Sequence, residues 1–266
     1  MAVKAETVVV TGSSGFLGAH LICGLGEEGY SGLAVKRTAG SKALPDGWVW
    51  SERASVLAAS QLDITADTLV HLEVKQHVVN LTASALAEFQ SVNVEGTQTW
   101  LDWCTRHGVG RFVYFSSIKA VRQAPCEATD ESAVGPPSSM YGASKWAAEE
   151  RVRAWVVANP HRSALILRPA VIYGPGSTAN IAAMVKGIRR KRFFLVGRND
   201  NVKSLVGVRN VVAAVTYLLP RMQTGRCEVF NLVDAQNLTV REIDAAIRRQ
   251  LGRLGNSPSL PFVTSV

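Results

Sequence analysis

A run of β-branched residues, Thr7-Val8-Val9-Val10-Thr11, leads without a break into Gly12-Ser13-Ser14-Gly15-Phe16-Leu17-Gly18. Continuous apolar runs of this kind form strands buried on both faces, which requires a helical layer on each side of the sheet. Phe16, Leu17, Leu21, Ile22 and Leu25 then fall at helical spacing, so 15–28 reads as a helix. The glycines set the junction. Gly12 permits a tight turn, Gly15 lets phosphates approach the backbone, and Gly18 lets the helix pack on its strand. Free N–H groups and the positive helix end at such a turn suit a dinucleotide pyrophosphate. Three glycines spaced three apart also occur as ordinary loop and packing residues. The strand before them and the helix after them favour the cofactor reading, with Ser14, Phe16 and Leu17 completing the candidate loop.

The alternation continues downstream. Strands are expected at 33–36, 68–72, 112–116 and 164–168, with helices at 88–107 and 141–158. Strands alternating with helices imply right-handed crossovers and a Rossmann-like, doubly wound parallel α/β sheet. From Gly174 the texture changes. Gly174-Pro175-Gly176-Ser177 is a loop, followed by helices near 180–190 and 210–219 and apolar runs at 204–208 and 229–232. A last helix over 239–251 opens on a Thr239/Glu242 capping box. The expected organisation is a dinucleotide-binding domain over 1–173 and a small substrate lobe over 174–266, with strands that can return to the sheet. The tail, Asn256-Ser257-Pro258-Ser259-Leu260-Pro261, has lost periodicity and is expected to be loose.

A chain of 266 residues, 47% hydrophobic, can bury a sizeable core. No apolar run reaches the roughly 18 residues that span a bilayer, and no signal peptide is visible, so no membrane partner is expected. Cys23, Cys104, Cys126 and Cys227 form no CxxC pair, which fits a reduced, cytoplasmic protein. Cys104 and His107 are three apart with no second pair nearby, so no metal site is expected. The net charge of +8 is densest at Lys186-Gly187-Ile188-Arg189-Arg190-Lys191-Arg192. That run reads as a solvated helix end rather than a nucleic-acid site, with Phe193 and Phe194 as core or strand residues. Trp100, Trp103, Trp146 and Trp155 read as core or interface residues.

Two later features carry chemistry. Tyr141 and Lys145 are four apart, which puts both on one helix face. A free phenol titrates near 10, too high for a base at neutral pH, and a neighbouring ammonium would bring it down. Lys145 could also hold a nicotinamide ribose. Ser117 follows an apolar strand and so points into the crevice where parallel sheets bind ligands; its hydroxyl can both donate and accept. At the end of the second strand stands Lys36-Arg37, with no acid until Asp46. Arg37 could grip a 2′-phosphate, which favours NADP over NAD, with NAD as the alternative.

These residues resemble the extended short-chain dehydrogenases/reductases, in the branch of nucleotide-sugar epimerases, dehydratases and 4-keto reductases. The likeness runs from Val8 to about Leu251. It includes Val92-Asn93-Val94-Glu95-Gly96-Thr97, Phe112-Val113-Tyr114-Phe115-Ser116-Ser117 and Leu167-Arg168-Pro169-Ala170-Val171-Ile172-Tyr173-Gly174-Pro175-Gly176. By resemblance, Ser117 orients the reacting oxygen, Tyr141 is the acid/base and Lys145 its electrostatic partner. Leu72 lies by the cofactor, and Asn180 and Lys203 contact the substrate diphosphate or base. A nucleotide-diphosphate sugar as substrate and a homodimer through the 88–107 and 141–158 helices are further implications.

Three departures stand out. Glu73-Val74 replaces the usual Ala-Ala after His71-Leu72, and would bring a carboxylate close to the cofactor. The Gly-Asp-(Leu/Ile) segment is not recognisable before Asp67, with Asp63 a poor substitute. Relatives carry further helices beyond the position of Leu251, so an abbreviated lobe is expected. Ile118-Lys119 replaces the acid pair of 4,6-dehydratases, which argues against dehydration. The expected activity is 4-keto reduction of a nucleotide sugar. C4 epimerisation with tightly bound NAD and a non-catalytic cofactor-binding regulator are the alternatives.

Overall fold

The three valines of β1 (Thr7–Thr11) are fully buried, as a central strand requires. The computed structural model describes residues 6–37, 43–61, 65–76, 83–122, 129–133, 137, 139–255 and 257–260. After β1 come α1 (Phe16–Glu27), β2 (Ser31–Lys36), β3 (Trp48–Glu52), α2 (Arg53–Ala58) and β4 (Thr68–His71). Next follow α3 (Ala83–Phe89), α4 (Gly96–His107), β5 (Arg111–Phe115), α5 (Met140–Val157) and β6 (Ser163–Pro169). The sheet order is β11-β6-β5-β4-β1-β2-β3, where β11 is Cys227–Leu232, and every pairing is parallel. The chain therefore builds outward from β1 on one side, then crosses to β4 and builds outward on the other. That reversal opens a crevice at the C-terminal ends of β1 and β4, the place where such sheets bind ligands.

The chain divides into two compact units, Met1–Pro169 with Val212–Leu232, and Ala170–Val211 with Val233–Val266. The first contains the seven-stranded sheet. One of its cores joins Trp100, Trp103 and Cys104 of α4 and Val152 and Trp155 of α5 to Leu69, Phe112 and Ile166 of the strands. The second contains β7 (Val171–Tyr173), α6 (Asn180–Arg189), β8 (Leu195–Val196), β9 (Val202–Lys203), β10 (Leu205–Gly207), the start of α7 (Val208–Leu218), β12 (Leu238–Thr239), α8 (Val240–Gln250) and β13 (Ser259–Leu260). Its core is Met184, Ile188, Leu205 and Ile243.

Several expectations are corrected. The helix expected over 88–107 is α3 and α4 joined by a π turn at Gln90–Glu95. The edge strand β3 and short helix α2 were not foreseen. The tail is not loose within its described residues: Ser257 N–H and Oγ both donate to the buried Asp244 carboxylate at 2.7 Å, and β13 pairs with β8. Phe193 packs on the second core, but Phe194 is 52% exposed and serves no core. Asp63 and Cys126 lie outside the described residues. Among the described residues no helix is long and apolar enough to cross a membrane, and no His/Cys/Asp/Glu cluster could hold a metal.

Candidate active site

The glycine turn closes at the head of the crevice. Gly12 has a left-handed φ of +66°, and a Cβ there would lie 3.0 Å from the carbonyl carbon of Leu72. A Cβ on Gly18 would lie 2.6 Å from Ser13 Cα, too close for any side chain. Ser13 Oγ ties the turn to the Val35 carbonyl at 2.6 Å, and Gly15 N–H donates to Gly12 O at 3.1 Å. Ser14 and Gly15 are exposed at the tip, and Gly15 is the N-cap of α1, with no side-chain cap. The first-turn N–H groups of α1, at Phe16, Leu17 and Gly18, are thus left for an external anion. A dinucleotide pyrophosphate fits this cradle. Arg37 is exposed just past β2, beside a buried Lys36 whose ammonium lies 4.6 Å from the centre of the Trp50 ring.

Tyr141 and Lys145 sit in the first turns of α5, which Ser139 caps by accepting from Gly142 N–H at 3.0 Å. Ser117 follows β5 and accepts from Lys119 N–H at 3.2 Å, which fixes its hydroxyl at the strand end. The Ser117 hydroxyl lies near enough to the Tyr141 phenol to lower its pKa. The Phe89 ring packs against Tyr141 at 6.2 Å between centroids. Lys145 is buried beneath, its ammonium 4.3 Å from the centre of the Tyr114 ring. Ser117, Tyr141 and Lys145 are therefore brought together in one unit.

The electrostatics differ from the simplest expectation. Burial pushes the Tyr141 phenol up, against a smaller lowering by the Ser117 hydroxyl. Burial also brings Lys145 down to about 7, opposed by the Glu149 carboxylate. An ammonium that depresses the phenol is thus not what the protein alone provides; desolvation outweighs it for both groups. The lower layer is charged and fully paired. Glu149 accepts from Arg168 Nε at 2.9 Å and Nη2 at 2.7 Å, and from Ser116 Oγ at 2.5 Å, all buried.

The Glu73 carboxylate has a cationic partner. Its Oε2 accepts from Arg53 Nε at 3.0 Å and Trp100 Nε1 at 3.1 Å, while Oε1 is buried without a partner among the described residues. His71 donates to or accepts from Thr11 Oγ1 at 2.8 Å, and burial drives its pKa well down, so the ring is neutral. Asn93, in the π turn, bridges the strand-end segment to α5. Its amide bonds Lys75 N at 2.8 Å, Lys75 O at 3.1 Å and Ser144 Oγ at 2.8 Å.

Asn180 opens α6 and Lys203 lies exposed in β9, paired with Leu238; both belong to the second unit. Sequence reasoning assigned no role to Asn93, Arg53, Glu149 or Arg168. An asparagine inside a helical pattern was the available signal for Asn93, since its amide competes with the helix backbone.

A doubly wound parallel sheet, a dinucleotide cradle and a clustered Ser/Tyr/Lys group define a short-chain dehydrogenase/reductase. The chain belongs to the NAD dependent epimerase/dehydratase family, whose model matches residues 8–232, and it is an enzyme of that kind. It is 30% identical over 260 residues to N-acetyl-alpha-D-glucosaminyl-diphospho-ditrans,octacis-undecaprenol 4-epimerase of Escherichia coli O157:H7, covering 97% of this chain and 76% of that one. It is 26% identical over 248 residues to UDP-glucose 4-epimerase of Vibrio cholerae, covering 90% and 74%. The fold matches the UDP-glucose 4-epimerase of Thermus thermophilus, solved in complex with NAD, at a TM-score of 0.80 and 21% identity over 96% of this chain and 86% of that one.

Proposed function

We propose that this enzyme exchanges hydride at C4 of a hexose carried on a diphosphate, as a 4-epimerase with retained NAD. The observation that carries the reading is the grouping of Ser117 at the strand end, Tyr141 in the first turn of α5 and a buried Lys145 one turn on. When bound, the nicotinamide supplies the acceptor and donor of hydride. Ser117 fixes the C4 oxygen, and Tyr141 takes its proton during oxidation and returns it during reduction. Lys145, whose charged form Glu149 favours, offsets the negative charge of the phenolate. Asn180 and Lys203 are our candidates for the diphosphate. Both relatives named above act on diphosphate-linked sugars, one on a nucleoside and one on a polyprenol carrier, which supports C4 chemistry without fixing the carrier.

The exposed Arg37 favours a second reading, an NADPH-dependent 4-keto reductase, because a guanidinium suits a 2′-phosphate. Denaturing the purified protein and identifying the nucleotide released separates the two. Retained NAD, together with conversion of UDP-glucose or the polyprenyl-linked sugar to its C4 epimer, supports epimerisation. A protein that releases nothing, binds NADPH and reduces a 4-keto sugar supports the reductase.

A further inference from the structure

The formal charge of +8 resides wholly in one of the two units. Ala170–Val211 with Val233–Val266 holds twelve Lys/Arg against four Asp/Glu, whereas the other unit holds 17 of each. Within the charged unit the cations gather at the end of α6. Arg189, Arg190, Lys191 and Arg192 are all exposed there, and Lys191 turns the chain with a φ of 57°.

Exposed apolar side chains follow within a few residues of these cations, and another stands at Leu254. Phe194 is 52%, Val196 49% and Leu254 96% exposed. Backbone contacts hold the segments together. The Arg253 guanidinium donates to the carbonyls of Ile188 and Arg189, the latter at 2.8 Å, which ties the segment before Leu254 to the end of α6. Leu195 N–H donates to Pro258 O at 2.8 Å, joining β8 to the strand that follows Leu254. Phe193 packs inward on the unit's core, so its neighbour Phe194 is the ring left facing solvent.

A merely solvated helix end explains the charge but not the apolar side chains among it. Nucleic acid would satisfy the cations and could stack on Phe194, but it offers nothing to Val196 or Leu254. An anionic bilayer takes both: lysine and arginine meet lipid phosphates while aromatic and aliphatic side chains enter the boundary beneath the headgroups. We propose that this face of the second unit docks peripherally on an anionic phospholipid bilayer, with Arg190, Lys191 and Arg192 on the headgroups and Phe194 and Leu254 in the interface. This is a surface contact, not a span, and it stands independently of the C4 reaction.

Flotation of the full chain with two kinds of vesicle tests it, with no substrate present. One is pure phosphatidylcholine; the other is roughly one-third phosphatidylglycerol. The expected result is binding to the anionic vesicles alone, weakening as salt rises. Arg190→Glu with Lys191→Glu and Arg192→Glu should lose roughly 100-fold in binding. Phe194→Ser with Leu254→Ser should lose about tenfold while keeping its retention on heparin. The wild-type difference between lipid compositions decides the matter even if a variant folds poorly. Absence of flotation with anionic vesicles at low salt overturns the proposal. So does vesicle binding untouched by the apolar substitutions, or tighter binding to duplex DNA than to the vesicles.

Discussion

At the residue scale, Lys145 is held out of water and Tyr141 is partly so, and desolvation determines how both titrate. Lys145 stands at about 7 in the folded protein against 10.5 for its ordinary value. A base whose folded pKa is depressed penalises folding once protonated. Its penalty is absent above 10.5, grows as pH falls and is complete below about 7. Lys145→Met should therefore stabilise the fold near pH 6, by on the order of 4 kcal/mol, with the gain shrinking toward pH 10. Paired thermal melts across that range check both sign and window. Glu73 was legible as a misplaced carboxylate, but its neutralising partner was not, because Arg53 approaches from an unforeseen helix. Arg53→Met leaves that charge uncompensated near the phosphate turn and should weaken dinucleotide binding about tenfold, read by nucleotide titration.

At the element scale, β1, the glycine turn and α1 could be read from sequence because pattern, turn chemistry and packing agree over consecutive residues. The Tyr141/Lys145 helix and the strand before Ser117 were legible for the same reason. The π turn at Gln90–Glu95 was hidden, since one extra residue in a helical ladder leaves no period to find. β3 escaped because it is a short edge strand whose Val49 is 60% exposed, so it lacks the apolar run of a central strand. The Glu149–Arg168 pair joins α5 to β6 across 19 residues, a contact that no local window contains. Arg168→Met leaves Glu149 buried without its main partner, and denaturant unfolding should show a loss of about 3–5 kcal/mol. The capping box was legible and is present: Thr239 Oγ1 accepts from Glu242 N–H at 3.2 Å, and the Glu242 carboxylate accepts from Thr239 N–H at 2.7 Å. Thr239→Ala should cost about 1 kcal/mol.

At the scale of the whole molecule, the sequence showed how much charge there is but not where it collects. Only the division into units reveals a neutral sheet-bearing part and a second part that carries the full +8. Trp100, Trp103 and Trp155 belong to the core while Trp146 is only half-buried, so a dimer through α4 and α5 would use their remaining faces. We expect a homodimer at micromolar concentration, and light scattering that gives the monomer mass rejects it. In the proposed reaction Tyr141 exchanges the proton of a C4 hydroxyl. Its most direct test is the rate of C4 epimer formation from a diphosphate-linked hexose, compared between the wild-type chain and Tyr141→Phe with equal NAD bound. Turnover by the wild type and a loss of about 10²–10⁴-fold in the variant are expected; equal rates in the two proteins would show that the phenol does not carry the proton.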